Sequence, residues 1–175
     1  MTIPAEPIEK LAARLRQATE TRVAIPPLGE ELAAGGVPAA YAVQQANTDF
    51  YIKQQRRLMG RKIGLTSKSV QRQLGVDSPD FGMLFADMAF SDGEEIGSDR
   101  LMQPKAEAEV ALVLEKDLTQ PMVTLAELIS AVAYALLSAF AASSPPATRF
   151  QSAVPSANCC VRRAVTTCAR PISIS

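Results

Sequence analysis

The stretch of residues 103–114 alternates between two kinds of side chain, and no other feature limits the fold of this chain as strongly. Glu107 and Glu109 fall on one side of the alternation. A period of two predicts a β-strand, because successive side chains of a strand point to opposite faces. We expect the other face, which is wholly apolar, to pack on a hydrophobic core. Its residues are Ala108, Val110, Leu112 and Leu114.

The two glutamates of this strand form a candidate metal site. At a rise of about 3.3 Å per residue, the Cβ atoms of Glu107 and Glu109 would lie about 7 Å apart. Two carboxylates this close repel each other unless a cation lies between them or one keeps its proton. A divalent metal ion is one solution. A strand whose outer face is simply in contact with water is the alternative, since short motifs such as Glu-x-Glu have many false matches.

Composition narrows the chemistry and the partners. The 175 residues are enough for one domain with a sizeable core. Lys plus Arg and Asp plus Glu both number 18, so charge gives no reason to expect nucleic acid or an anionic membrane as a partner. Histidine is absent, which leaves carboxylates and lysines for acid–base work. No signal peptide is visible, and the apolar run at 128–142 is shorter than the ~20 residues of a membrane span, so we expect a cytoplasmic location.

Four elements are predicted ahead of the glutamate strand. The apolar spacing predicts amphipathic helices over residues 6–20 and 39–57. A short alternating run at 60–66 contains two glycines and predicts a strand that a backbone or ligand approaches closely. Residues 67–74 predict a short helix that ends at Gly75.

Two charged residues near this run are candidate site residues. Lys62 is predicted to lie inside the first strand, on the face opposite Ile63. Because most lysines are solvated, a surface charge is the simple interpretation. Residues 76–82 are rich in turn formers and contain Asp80 next to Phe81. This segment is an ordinary connection or a binding loop, since loops often carry binding residues.

The sequence changes character beyond residue 127. Thr124 and Glu127 fit a capping box, so a helix is predicted from there to residue 138. From residue 128 to 175 there is no Asp, Glu or Lys, and the segment beyond the helix has no helical or strand period. Two interpretations stay open. One is a natural disordered tail, and the other is a stretch translated out of its proper reading frame.

Three blocks in this order form a specific pattern. They read GRKIGLT at residues 60–66, QLGVDSPDFG at 73–82 with LFADM at 84–88, and QPKAEAE at 103–109. Together they resemble the 2-keto-4-pentenoate hydratases of the fumarylacetoacetate hydrolase superfamily. The resemblance covers roughly residues 5–137. The 4-oxalocrotonate decarboxylases share much of the same pattern.

This resemblance implies a metal and a set of site residues. The family uses Mg²⁺ or Mn²⁺, and Glu107 and Glu109 would be two of the carboxylate ligands. Lys62 would hold an anionic oxygen of the substrate or move a proton. Asp80 would act as an acid–base group. The residues that would contact the substrate are Leu84 and Phe85.

The chain also departs from the family pattern. The family carries a third metal carboxylate on a strand that follows the helix at 124–138, whereas residues 137–142 contain no acid. We therefore expect an α+β fold in three parts, with the C-terminal part of the family fold missing. These are an N-terminal helical region at 1–59, an incomplete catalytic domain at 60–137, and a non-native or disordered tail at 138–175.

The function implied by the resemblance is a lyase reaction in aromatic catabolism. Water would add to 2-hydroxypenta-2,4-dienoate, the enol form of 2-keto-4-pentenoate, and give 4-hydroxy-2-oxopentanoate. We expect this truncated chain to be inactive alone. Decarboxylation of a 4-oxalocrotonate-type 2-oxo acid and a non-catalytic role as a partner subunit are the alternatives. A homo-oligomer or a hydratase–decarboxylase complex is the expected assembly, without nucleic acid or membrane.

Overall fold

The computed structural model describes residues 5–102, 104–143 and 157–160, and it describes only the backbone of residues 5, 104–107, 139–143 and 157–160. Three helices come first, and two antiparallel sheets follow them, which agrees with the predicted α+β class. The helices are α1 (Ala5–Thr21), α2 (Gly29–Leu32), α3 (Gly36–Lys53), α4 (Lys68–Leu74) and α5 (Leu125–Ala131). The strands are β1 (Leu58–Gly64), β2 (Asp80–Phe85), β3 (Pro104–Leu114), β4 (Val132–Ser143) and β5 (Ala157–Cys160).

The hydrophobic core of the N-terminal region lies between α1, α3 and the segment around α2. The predicted helices at 6–20 and 39–57 are both present, although α3 begins at Gly36 and ends at Lys53. It ends early because Gln55 takes a left-handed conformation with φ of 63°, which a helix cannot continue through. The buried residues of this core are Leu11, Ala12, Leu28, Leu32, Ala39, Ala40 and Val43.

A two-stranded antiparallel sheet, β1 with β2, follows the helical region. The register pairs Gly60 with Leu84, Lys62 with Gly82, and Gly64 with Asp80. Helix α4 connects the two strands and ends at Leu74; the next residue, Gly75, has a φ of 71° and forms the left-handed cap that the sequence predicts.

The second sheet has the order β3-β4-β5 and is antiparallel throughout. The capping box at Thr124 and Glu127 is present and starts α5. The predicted extension of that helix to residue 138 is wrong, because residues 132–143 form β4. Strand β4 pairs with β3 along its whole length, and this pairing outweighs the helical preference of its alanines and leucines.

Within the described part of the chain, most of the apolar face of the glutamate strand does not pack on a hydrophobic core, contrary to our prediction. Val110, Leu112 and the β4 residue Leu137 are exposed by 65%, 51% and 75%. Leu114 is buried, after a shift in the register between Val113 and Leu114. A face of a sheet is buried only where another layer of structure packs against it. In the described part of the chain, no such layer covers Val110, Leu112 and Leu137.

The predicted boundary between residues 137 and 138 falls inside β4. Residues 138–143 of the predicted tail are therefore strand, whereas residues 144–156 and 161–175 lie outside the described part of the chain. The division into three parts stays a prediction. Within the described ranges, none of the helices combines the length and the apolar character that a membrane crossing needs.

Candidate functional site

The face of the β1–β2 sheet that carries Lys62 also carries Asp80 and Leu84. The register sets Asp80 opposite Gly64, two residues from Lys62, and Leu84 opposite Gly60. Residues directly opposite each other in an antiparallel pair share a face, and so do residues two apart along a strand. Asp80 is thus the first residue of a strand, and the predicted loop is confined to the residues before it.

Lys62 connects this sheet to the glutamate strand. Its Nζ donates a hydrogen bond to Glu109 Oε1, and the two side chains form an ion pair. The Lys62 side chain is only 16% exposed and that of Glu109 is 35% exposed. The structure therefore brings the predicted lysine and one predicted metal ligand into direct contact. A simple surface charge does not describe Lys62.

Asp80 lies in a partly buried environment with several hydrogen-bond donors. Burial raises the pKa of the Asp80 carboxyl, and this effect is larger than the opposing ones. Its own backbone N–H, the positive charge of Lys62 and the N–H of Gly64 all act to lower that pKa. Gly64 also permits the close approach, because a Cβ atom at this position would overlap Asp80 Oδ1. The sequence predicts that a backbone or a ligand approaches a glycine of this strand closely; at Gly64 the close approach is present, but the approaching group is the Asp80 side chain.

Helix α3 holds the backbone next to Asp80. The N–H of Phe81 donates a hydrogen bond to Tyr41 Oη at 3.1 Å, and Gln44 Nε2 donates one to the Phe81 carbonyl at 2.9 Å. Sequence reasoning used Tyr41 only as an apolar position of a helix and did not consider Gln44. The available signal was their spacing of three residues, which puts both side chains on one side of a helix.

The two predicted substrate-contact residues, Leu84 and Phe85, point in different directions. Both are buried, but only Leu84 shares the face of Lys62. The Phe85 ring packs edge-to-face on Tyr51 at 5.7 Å, and the guanidinium of Arg56 lies 4.4 Å from its centre. These contacts make Phe85 a packing residue between β2 and α3.

The second predicted metal ligand, Glu107, is described only by its backbone. The register of β3 and β4 pairs Glu107 with Phe140 and Glu109 with Ser138. The Ser138 side chain is 5% exposed, and its hydroxyl has no hydrogen-bond partner in the described part of the chain. A buried hydroxyl without a partner is unfavourable by about 1–3 kcal/mol. The Ser138 hydroxyl, opposite Glu109 in the register, is therefore available to bind a further group through its oxygen.

Comparison with curated proteins gives close matches over most of the chain. The chain is 58% identical to 2-keto-4-pentenoate hydratase 2 of Dechloromonas aromatica (strain RCB) over 128 residues, which are 73% of this chain and 49% of that protein. It is 55% identical to the 2-keto-4-pentenoate hydratase of Paraburkholderia phymatum over 129 residues, 74% of this chain and 49% of that protein. The chain is a relative of the 2-keto-4-pentenoate hydratases.

The fold comparison agrees with this relationship. A solved 4-oxalocrotonate decarboxylase from Pseudomonas putida G7, complexed with magnesium and adipate, matches with a TM-score of 0.76 and 26% identity. The match covers 86% of this chain and 56% of that one. No protein-family model matches the chain. This relative of the hydratases spans about half the length of the curated proteins it matches.

The donor groups around Glu109 fit a hard divalent cation in chemical type. Glu109 supplies a carboxylate and Ser138 supplies a buried hydroxyl, and oxygen donors are the ligands that Mg²⁺ prefers. Among the described side chains, no group of three His, Cys, Asp or Glu residues lies close enough to hold a metal ion. A complete set of carboxylates in this hydratase relative would therefore need Glu107, whose side chain lies outside the described part.

Proposed function

We propose that this chain carries part of the active site of a metal-dependent hydratase. The proposed reaction adds water to 2-keto-4-pentenoate, as its dienol 2-hydroxypenta-2,4-dienoate, and gives 4-hydroxy-2-oxopentanoate. The main support is the meeting of Lys62 of β1, Asp80 of β2 and Glu109 of β3, three charged groups from separate strands in one partly buried place. The names of the curated relatives support the substrate.

Glu107 and Glu109 would hold the metal, Mg²⁺ or Mn²⁺ in this proposal. A magnesium ion in the structural neighbour supports the choice of a hard cation. When bound, such a metal supplies Lewis-acid stabilisation of negative charge on the 2-oxygen of the substrate. The chain itself contributes the carboxylates that fix the position of the cation and the neighbouring Lys62.

Asp80 and Lys62 would handle protons and charge. Hydration requires a group that gives a proton to a substrate carbon and a group that takes one from water. Because burial raises its pKa, the Asp80 carboxyl keeps its proton to a higher pH than an exposed aspartate, which suits a general acid. Lys62 is a cation beside it and would bind an anionic oxygen of the 2-oxo acid. Leu84, buried on the same face, would contact the substrate carbon chain.

A hybrid protein tests this function. Residues 1–137 of this chain would be joined to the remaining C-terminal part of the Dechloromonas aromatica hydratase 2 named above. We expect the hybrid with Mg²⁺ or Mn²⁺ to remove the dienol absorbance and form 4-hydroxy-2-oxopentanoate. The unmodified chain should show no turnover alone. A correctly folded hybrid that binds metal but leaves the dienol unchanged would contradict the proposal.

Decarboxylation is the second candidate, because the structural neighbour is a 4-oxalocrotonate decarboxylase. Both reactions pass through an enolate that a metal can stabilise, so the same site suits either. Release of CO₂ from 4-oxalocrotonate by the hybrid, without loss of the dienol absorbance from 2-hydroxypenta-2,4-dienoate, would favour decarboxylation.

The assembly and the tail belong to the same proposal. We propose a cytoplasmic location for the chain. We also propose that it assembles as a homo-oligomer or in a hydratase–decarboxylase complex. If the chain has no turnover, it would be a non-catalytic partner subunit there. Pull-down with a full-length hydratase tests this role. We propose that residues 138–175, which include the end of β4 and all of β5, are a non-native tail, or a natural tail that is disordered outside these two strands. Limited proteolysis with mass spectrometry tests this proposal. Resistance of these residues equal to that of residues 60–118 would contradict it.

A further inference from the structure

Two side chains of α3 hold both polar groups of the Phe81 residue. Tyr41 Oη accepts a hydrogen bond from the Phe81 N–H at 3.1 Å, and Gln44 Nε2 donates one to the Phe81 carbonyl at 2.9 Å. Tyr41 and Gln44 are three residues apart on the helix, so they reach the same place. We call Tyr41 and Gln44 together the Phe81 clamp.

The clamp takes the place of a neighbouring strand. In the described part of the chain β2 pairs with β1 alone, so its other edge has no strand to bond with. Backbone N–H and C=O groups that lie away from water need partners. At Phe81 these partners are side chains, which attach β2 to the N-terminal helical region at one residue.

The position of the clamp matters because Phe81 follows Asp80 directly. Asp80 begins β2, and the residues before it form a connection without regular structure. The Asp80 carboxylate lies against Gly64, so closely that a Cβ atom there would overlap Asp80 Oδ1, and the N–H of Gly64 lowers the pKa of this carboxyl. A shift or rotation of the Phe81 peptide would move the Asp80 side chain out of this contact. Displacements of about 1 Å at a reacting group can reduce rates about a hundredfold.

We propose that Tyr41 and Gln44 are positioning residues that fix the orientation of Asp80 through the backbone of Phe81. The proposal rests on the proposed function, in which Asp80 is an acid–base group, and it adds the residues that hold Asp80 in position. Neither residue touches the candidate metal ligands in any contact described above. Their effect runs through two hydrogen bonds and one peptide unit.

The experiment reads the Gly64 amide signal of the full chain by NMR, without substrate or metal. A Gly64 N–H that donates to a carboxylate has a proton shift that changes when the carboxyl group titrates. The variant Asp80→Asn removes the carboxylate and defines the signal of a Gly64 amide without it. Tyr41→Phe removes one acceptor and keeps the ring, and Gln44→Met keeps the side-chain length and removes the amide.

Matched controls lie on the same helix. Tyr51→Phe makes the same chemical change at a residue that packs on Phe85, and Gln45→Met makes it at an exposed residue bonded to Asp49. We expect the Gly64 signal of both clamp variants to move toward that of Asp80→Asn and to lose its pH dependence. The two controls should keep the wild-type signal. Thermal unfolding identifies any variant that has lost its fold.

An unchanged Gly64 signal in folded Tyr41→Phe and Gln44→Met would overturn the proposal. An equal change in the Tyr51→Phe and Gln45→Met controls would also overturn it, because the effect would then be general loosening of α3. Failure of the proposed function gives a different result. In that case the Gly64 signal responds to the clamp variants, but Asp80→Asn leaves the turnover of the hybrid protein unchanged.

Discussion

Lys62 of β1 and Glu109 of β3 form a partly buried ion pair that joins the two sheets. From the sequence, each residue alone is compatible with a solvent-exposed position, but the ion pair is partly buried. Glu109 is the predicted metal ligand with a described side chain, and Lys62 is the predicted partner of the substrate. Because of this contact, a metal ion bound by Glu109 would lie next to Lys62. The metal ion and the Lys62 ammonium group would then share the Glu109 carboxylate.

The first prediction concerns metal binding by the chain itself. Mn²⁺ or Mg²⁺ should raise the thermal unfolding midpoint, because an ion that binds only the folded state stabilises it by mass action. At ten times the dissociation constant the gain is about 1.4 kcal/mol. Glu109→Gln should abolish the effect, whereas Glu115→Gln, at an exposed residue directly after the same strand, should retain it. The titration must reach millimolar metal. If Glu109→Gln and wild type then have the same unfolding midpoints, Glu107 and Glu109 are solvated residues of a strand and not metal ligands.

The second prediction concerns Lys62. In the hybrid protein, Lys62→Met should lower turnover by about a hundredfold to ten-thousandfold, the usual range for loss of a positioned acid–base group. Metal-dependent thermal stabilisation should persist, because the variant leaves both glutamates and removes a cation that shares Glu109. Lys53→Met, at the exposed end of α3, is the control and should change neither quantity. Near-normal turnover of Lys62→Met would make Lys62 a structural residue.

The third prediction is a pH dependence of stability. Burial raises the pKa of Asp80 in the folded state above its ordinary value of 3.8, so the folded state binds the proton more tightly than the unfolded state. The free energy of unfolding should therefore fall as pH rises from about 3.8 to the raised pKa and should then level off. Asp80→Asn should reduce this fall. Urea unfolding across this range measures it, with Asp77→Asn in the exposed loop as control.

An unchanged slope in Asp80→Asn would show that other groups determine the pH dependence. The same slope change in Asp77→Asn would show a general effect of net charge, since each variant removes one negative charge.

The sequence predicted the local structure of this region better than the way its two sheets meet. Period two in residues 103–114 was sufficient to place Glu109 on a strand, and the glycine at position 64 was sufficient to predict a close approach there, although not that the approaching group is the Asp80 side chain. These are local properties of a strand. The contact of Lys62 with Glu109 spans 47 residues and depends on how two sheets meet, which a local pattern does not record.

The errors have the same origin. Residues 132–138 read as helix because alanine and leucine favour one, but they form β4 because β3 offers a full row of hydrogen-bond partners. The apolar face of β3 reads as core because Val110 and Leu112 alternate correctly. Whether such a face is covered depends on other parts of a fold, and here both side chains are more than half exposed.

The fourth prediction concerns Gln71, a fully buried residue of α4. Its Nε2 donates a hydrogen bond to the carbonyl of Leu65 at 2.6 Å, and Leu65 has an unusual positive φ of 54° directly after β1. Gln71→Met should lower the free energy of unfolding by about 1–3 kcal/mol, because it leaves the Leu65 carbonyl without this donor. Gln73→Met, exposed on the same helix, should change it by less than about 0.5 kcal/mol. Equal losses in denaturant unfolding would mean that the bond contributes little.

The last prediction follows from the register of β3 and β4. The backbone pairs Glu107 with Phe140, and the family pattern has a third carboxylate on the strand after the helix. Directly opposite positions of an antiparallel pair lie about 4.5–5.5 Å apart at Cβ, so a glutamate opposite Glu107 adds an oxygen donor near the predicted metal site. We expect Phe140→Glu to tighten Mn²⁺ binding about tenfold, or about 1.4 kcal/mol, in thermal titrations of the full chain. Ala139→Glu adds the same charge one residue away, at a position paired with Ala108, and should not tighten binding comparably. Equal tightening by both variants would reduce the effect to net charge, and no tightening by Phe140→Glu in a folded variant would argue against a metal site at Glu107 and Glu109.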